Sequence, residues 1–204
     1  LKIVKNIIPE NYSDLDLLRE EFGQHKIYPR SLELPILIAL SFFPELKNIS
    51  IEFKEKKSSF AFASRPDFGK FLLTKSKRKY LVILSTESRF VSKDLLFRAL
   101  PLNAQVGILG HELSHTAFYL SQNFSSIVKI GLLYFYNSFR IEFEINTDKA
   151  TIDRGLGFQL LDFSTYCHNH PKATEKYKKW LNRYYLHPDQ ITAYIKNLPQ
   201  YGDL

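Results

Sequence analysis

The sequence predicts an α+β domain, mostly helical, with a small sheet that has an antiparallel edge. Three observations carry this. Apolar residues recur at helical spacing toward both ends of the chain. Between about residues 48 and 85, segments alternate apolar and polar or run β-branched and apolar. Proline, glycine and asparagine punctuate the joins. The order is therefore helices, strands, helices, which keeps the sheet apart from most of the helices. At 204 residues one domain accounts for the chain, with 1–45 as an N-terminal helical segment and 46–204 as the core.

The elements follow in order. Helices are expected over 14–22 and 34–43, the second bounded by Pro35 and Pro44. "NISIEF" (48–53) alternates, "KEKKSS" is a polar turn, and "FAFAS" (60–64) follows, which predicts a hairpin. "KYLVILS" (79–85) is a third strand. Asn103 is placed to cap a helix running to about Gln122. A second long helix is expected over 125–154, interrupted in the middle and closed by Gly155 and Gly157. Shorter helices start near Gly157, Pro171 and Pro188.

Composition narrows the function classes. Hydrophobic residues make up 45% of the chain, with 17 Phe and 12 Tyr, so it can bury an aromatic-rich core and is not a disordered segment. No apolar run reaches the roughly 18 residues that span a bilayer. The longest, "IVKIGLLYFY" (127–136), contains Lys129 and reads as a buried helix rather than a membrane-touching one. The single cysteine, Cys167, rules out an internal disulfide framework and reads as a small buried hydrophobe. The net charge of +7 is spread over 54–57, 75–79 and 172–183. Without a nucleic-acid module beside them, these read as solvated faces, so no nucleic acid is expected as a partner. The chain begins at Leu1 and lacks methionine, so a start methionine is expected to precede it, which leaves room for a longer segment with a leader or membrane anchor. That leaves the compartment open. The chain itself reads as soluble, with peripheral membrane contact as an option.

The chemistry concentrates in "GHELSHT". On a helix His111 and His115 lie about 40° apart around the axis and one turn along, so both imidazoles can converge on one ion. Zinc accepts neutral nitrogen ligands at about 2.0–2.1 Å in a tetrahedral shell. Glu112 is rotated by about 100° from His111, which suits a base acting on a water better than a ligand. The flanks "VGILG" and "AFYL" are apolar, and a buried charge there needs a compensating partner. A third ligand can come from His168, His170, His187 or the acidic stretch "RIEFEINTDKAT". Within that stretch Glu144 and Asp148 share a helix face, four apart, whereas Glu142 points elsewhere. We read Glu144 as the third ligand of one Zn²⁺. Asp148 then accepts a proton from a ligand histidine, the arrangement that orients bound imidazoles.

His111-Glu112-x-x-His115 followed by Glu144-x-x-x-Asp148 resembles the gluzincin metallopeptidases, and within them the family of the CAAX prenyl protease and the HtpX heat-shock protease. "AFA" (Ala61, Phe62, Ala63) is similar to that family's Asn-Ala-Phe-Ala edge strand. His170-Pro171 followed by Lys176 is similar to its His-Pro-x-x-x-x-Arg motif, and "LHPDQI" to its short closing helix. The likeness covers about residues 58 to 195. It implies a mostly helical zincin-like domain that hydrolyses peptide bonds within a peptide or protein substrate, with Glu112 as general base. It implies that Ala61, Phe62 and Ala63 hold extended peptide backbone, and that His170 and Lys176 stabilise the transition state. Tyr166, His168 and Arg154 are rivals for that last task. The chain departs from the family at Phe60 (Asn), Thr147 (Ala) and Lys176 (Arg), and lacks its membrane spans. A family completed by a third histidine would use His168 or His170. Metzincins are excluded, because position 121 is Ser121 and there is no methionine. The other reading is a catalytically silent zinc-holding module that recruits a protein or an anionic partner.

Overall fold

The structure, a computed structural model, describes residues 2–12, 14–67, 69 and 78–202. The basic positions 75–77 lie outside the described residues. The architecture is α+β, with a four-stranded mixed sheet and dominant helix.

The strands are β1 (Lys26–Ile27), β2 (Ser50–Lys57), β3 (Phe62–Pro66) and β4 (Lys79–Glu87), in the order β1-β2-β4-β3. β4 decides this order. Its Tyr80, Val82, Ile83 and Leu84 are buried with side chains on both faces, so it takes a central place. β2 pairs with it in parallel, Ile51 beside Tyr80. β3 pairs with it antiparallel, Phe62 opposite Leu84. The expected hairpin is thus not formed, because its two arms lie on opposite sides of β4. The antiparallel edge that the sequence predicts is β3. The N-terminal segment is not purely helical, since β1 adds a short parallel strand against β2.

Six of the eight helices begin as the sequence predicts or within a residue or two. α1 (Leu15–Phe22) is capped by Asp14, whose side chain accepts from Leu17 N. α2 is Glu33–Leu40. α3 (Leu102–Ser121) is capped at Pro101 rather than Asn103. Asn103 is instead a tertiary tie: its Oδ1 accepts from Ile7 N at 2.8 Å and its Nδ2 donates to Asp162 at 2.6 Å. α3 is buried on all sides from Val106 to Ala117, as befits a helix apolar all round. It meets α6 (Gly157–Asn169) backbone to backbone at Gly107, where a Cβ would lie 2.2 Å from Gln159 O. The long helix expected over 125–154 is two, α4 (Phe124–Leu133) and α5 (Asn137–Thr151). Beyond Thr151 a wide π-type turn, Ile152–Leu156, closes at Gly155 with φ 96°, a value that favours glycine. α7 (Glu175–Tyr184) starts four residues after Pro171, because Thr174 caps it. α8 (Pro188–Lys196) starts on its proline.

One expectation is overturned outright. The run 127–136 is not buried: among its residues Ile127 alone is, while Phe135 is 87% exposed and Leu132 62%. The reason is position. α4 lies over the mouth of a cavity, with Ile127, Ile130 and Tyr134 turned toward it. Val128 and Leu132, on the rim of that mouth, stay largely in solvent. Among the described residues no helix is long and apolar enough to cross a membrane.

Candidate metal centre

The site is built where α3 crosses α5 beneath β3. α3 supplies His111, Glu112 and His115, and α5 supplies Glu144, Thr147 and Asp148, all of them buried. A hydrogen bond of 2.9 Å between the hydroxyls of Ser114 and Thr151 ties the two helices one turn away. Ser64 on β3 is joined to Thr116 on α3 at 2.8 Å, which pins the edge strand over the helix.

Two partners set the histidine tautomers. His111 Nδ1–H donates to Asp148 Oδ1 at 2.8 Å, and Asp148 Oδ2 accepts from Leu186 N at 2.8 Å. Thr147 gives its own hydroxyl hydrogen to Phe143 O at 2.8 Å, so its oxygen accepts from His115 Nδ1–H at 3.3 Å. In both rings Nε2 is then the bare nitrogen. These two nitrogens are 3.1 Å apart, and Glu144 Oε2 lies 3.1 Å from one and 3.2 Å from the other. Three lone pairs in a near-equilateral triangle repel one another unless a cation shares them. The triangle also fits one: the edge of a tetrahedron with bonds of about 2.0–2.1 Å is about 3.3–3.4 Å. Among the described residues, this buried His-His-Glu group is the one whose ligand atoms converge closely enough to hold a metal ion.

The electrostatics agree. Burial opposes a charge on His111, yet its contacts with Asp148 and Glu144 outweigh burial and hold its pKa well above the ordinary histidine value. Burial likewise opposes ionisation of Glu144, but His115 and His111 hold its pKa well below the usual carboxylate range. The cluster thus calls for positive charge at its centre. Glu144 Oε1 is occupied separately, by a short hydrogen bond from the Tyr134 hydroxyl.

Glu112 is different. It is buried beside the histidines, and its Oε2 has no hydrogen-bond partner among the described residues. Burial raises its pKa, and neighbouring His111 and His115 work against that rise. An unpartnered buried carboxylate oxygen is costly unless something binds it.

A cavity of about 850 Å³ opens onto these groups. Segment 59–66, which holds Ala61, Phe62 and Ala63, forms one wall, and Lys176 is on the cavity wall too, its Nζ 5.9 Å from the Phe90 ring centre. His170 is not among the residues lining the cavity. It ends α6, its Nδ1 accepts from Lys172 N at 3.2 Å, and its ring lies against Tyr166. His168 reaches the cavity but donates through Nδ1 to Ser164 O at 2.7 Å, and it is no part of the three-atom cluster. His187 caps α8. Arg154 pairs with Glu45, and Tyr166 donates to backbone carbonyls. Glu142 is exposed. Cys167 is fully buried and burial pushes its thiol up to about 12, as suits a packing residue.

Four residues escaped the sequence reading: Thr147, Tyr134, Tyr119 and Tyr185. Thr147 was noted as a departure, and its place one turn from Phe143 and beside Asp148 was the available signal. Tyr119 follows His115 by four positions, so helical spacing alone could have found it. Its ring stacks on His115 at 6.3 Å, and Tyr185 meets His111 at 5.5 Å. Burial and the charges of Glu144 and Glu112 raise both phenols, so both remain donors. Comparisons with protein-family models, curated proteins and solved structures find no match in any of the three.

Proposed function

We propose that the chain is a zinc-dependent metalloendopeptidase of gluzincin type. The observation that carries this reading is the three-donor triangle of His111, His115 and Glu144, with the unpartnered Glu112 Oε2 beside it in an open cavity. Those three residues hold the ion; the donor set of two imidazoles and one carboxylate is one that zinc takes in catalytic sites. When bound, the ion polarises a scissile carbonyl and makes water more acidic. Asp148 and Thr147 hold the Nδ1 hydrogens, which turns both Nε2 atoms to the shared centre. Glu112 Oε2 takes a proton from the attacking water and passes it to the leaving nitrogen. Its raised pKa favours this two-way traffic. β3, an edge strand among the described residues, offers its backbone to an extended peptide, with Ala61 and Ala63 leaving room for it. Lys176 and the protonated Tyr119 and Tyr185 are the donors at hand for the oxyanion. His170, outside the cavity, is left with a weaker claim.

Zinc content of the purified protein, measured beside cleavage of an unfolded protein substrate, tests this. The expected result is one equivalent of zinc and cleavage that falls by about 10²-fold or more in Glu112→Gln, with zinc retained. Zinc without cleavage in the wild type would leave a silent binding module. A protein that takes up no zinc overturns the metal assignment.

A further inference from the structure

The mouth of the cavity carries a surface that catalysis does not require. Phe60 and Phe90 stand at two loop tips on one side, and Val128, Leu132 and Phe135 on or just after α4 on the other. All five line the same mouth and all five are exposed, Phe135 by 87%. Large apolar groups gathered at one place on a surface mark an interaction site. The unpaired charges beside them in sequence are basic. From Leu113 to Ile141 the sequence has no acidic residue, while Lys129 stands exposed on α4. Arg89 adjoins Phe90, and the acids nearest to it in sequence are already engaged, Glu87 by Lys57 at 2.7 Å and Asp94 by Lys172 at 3.1 Å.

We propose that this rim docks on the surface of an anionic lipid bilayer, its aromatic and aliphatic side chains entering the interface while Lys129 and Arg89 meet the headgroups. The charge pattern selects the occupant. A second copy of the chain would set Lys129 and Arg89 against their own equivalents, in a protein that already carries +7. A peptide in the cleft is met by the inward residues Ile130 and Tyr134, and does not account for a side chain as exposed as Phe135. Tyr134, at the end of α4, donates to Glu144, so the docking helix is joined directly to the metal group.

Co-sedimentation of the full chain with phosphatidylcholine vesicles, with and without phosphatidylserine, tests this without any need for metal or activity. Binding is expected to the anionic vesicles and to fall in high salt. It should weaken by on the order of tenfold or more in Leu132→Asp and Phe135→Asp, and to a smaller extent in Lys129→Glu. Both apolar sites are largely exposed, so these variants should keep the wild-type circular dichroism and melting temperature. No binding by the wild type overturns the proposal, and so does binding that the Leu132 and Phe135 variants leave unchanged. Self-association of the wild type, abolished by those variants and without vesicle binding, would assign the rim to a second copy instead.

Discussion

α3 and α5 bury histidines, carboxylates and hydroxyls; α4, which lies between them in the chain, leaves aromatic and aliphatic side chains in water. Each inverts the usual partition, in which ionisable groups stay outside and large apolar groups go in. The two inversions are built differently. In α3 and α5 nearly every buried polar atom has one specified partner: Asp148 for His111, Thr147 for His115, Thr151 for Ser114. The exceptions are Arg140 Nε and Glu112 Oε2, and both residues line the cavity. On α4 the outward residues have few neighbours to fix them. The first pattern suits something small and charged inside, and the second is the surface that the proposed bilayer contact would cover.

The largest effect is expected from removing the carboxylate of the triangle. Glu144→Ala leaves two bare imidazole nitrogens and a Tyr134 hydroxyl without its acceptor. Zinc affinity should fall by more than the roughly 10–100-fold that loss of a supporting group costs. Competition with a chromophoric chelator measures it. In the wild type, saturating zinc should also raise the melting temperature, because a ligand that binds the folded state stabilises it by mass action. Equal zinc affinity in Glu144→Ala would mean that the triangle is an ion-pair cluster and not a ligand set.

How much of this was legible follows from the range of the interactions. The pair of histidines, and Glu144 with Asp148, could be read because helical spacing alone puts each pair on one face. The crossing of α3 with α5 that brings the two pairs together is tied by Ser114 to Thr151, 37 residues apart, and nothing local announces it. β4 was read as a strand from its composition, but its central place was not, because a polar turn before "FAFAS" favoured a hairpin. Burial of β4 on both faces won over that local signal. The run 127–136 was misread because an apolar sequence reports what a helix would bury, not whether a neighbour is there to bury it. Thr147 looked like a departure from the family pattern, and only the hydrogen bond to Phe143 O shows that its hydroxyl must accept from His115.

The packing of α3 on α6 can be broken next. Gly107→Ala drives a Cβ to 2.2 Å from a backbone oxygen that cannot rotate away. The two helices must separate, at about 3 kcal/mol, toward the upper end of overpacking. Urea denaturation reads this as a lower midpoint. Thr147→Val is gentler, because it keeps the shape and removes only the acceptor for His115 Nδ1. Zinc affinity should drop about tenfold, or 1.4 kcal/mol, with Thr147→Ser close to wild type. If Val and Ser behave alike, the hydroxyl plays no part in holding His115.

The smallest effect belongs to α4 and has the opposite sign. Gly131 sits inside that helix at ordinary helical φ, and a Cβ added there meets no atom within 4 Å. Gly131→Ala therefore adds no clash and removes conformational freedom from the unfolded chain. It should stabilise the protein by about 0.5–1 kcal/mol, seen as a higher denaturation midpoint at an unchanged slope. The same methyl group costs several kcal/mol at Gly107, so the contrast measures directly how closely each helix is packed. A loss of stability in Gly131→Ala would mean that α4 is held against the cavity more tightly than its exposed side chains imply, and the two regions would then differ in polarity but not in packing.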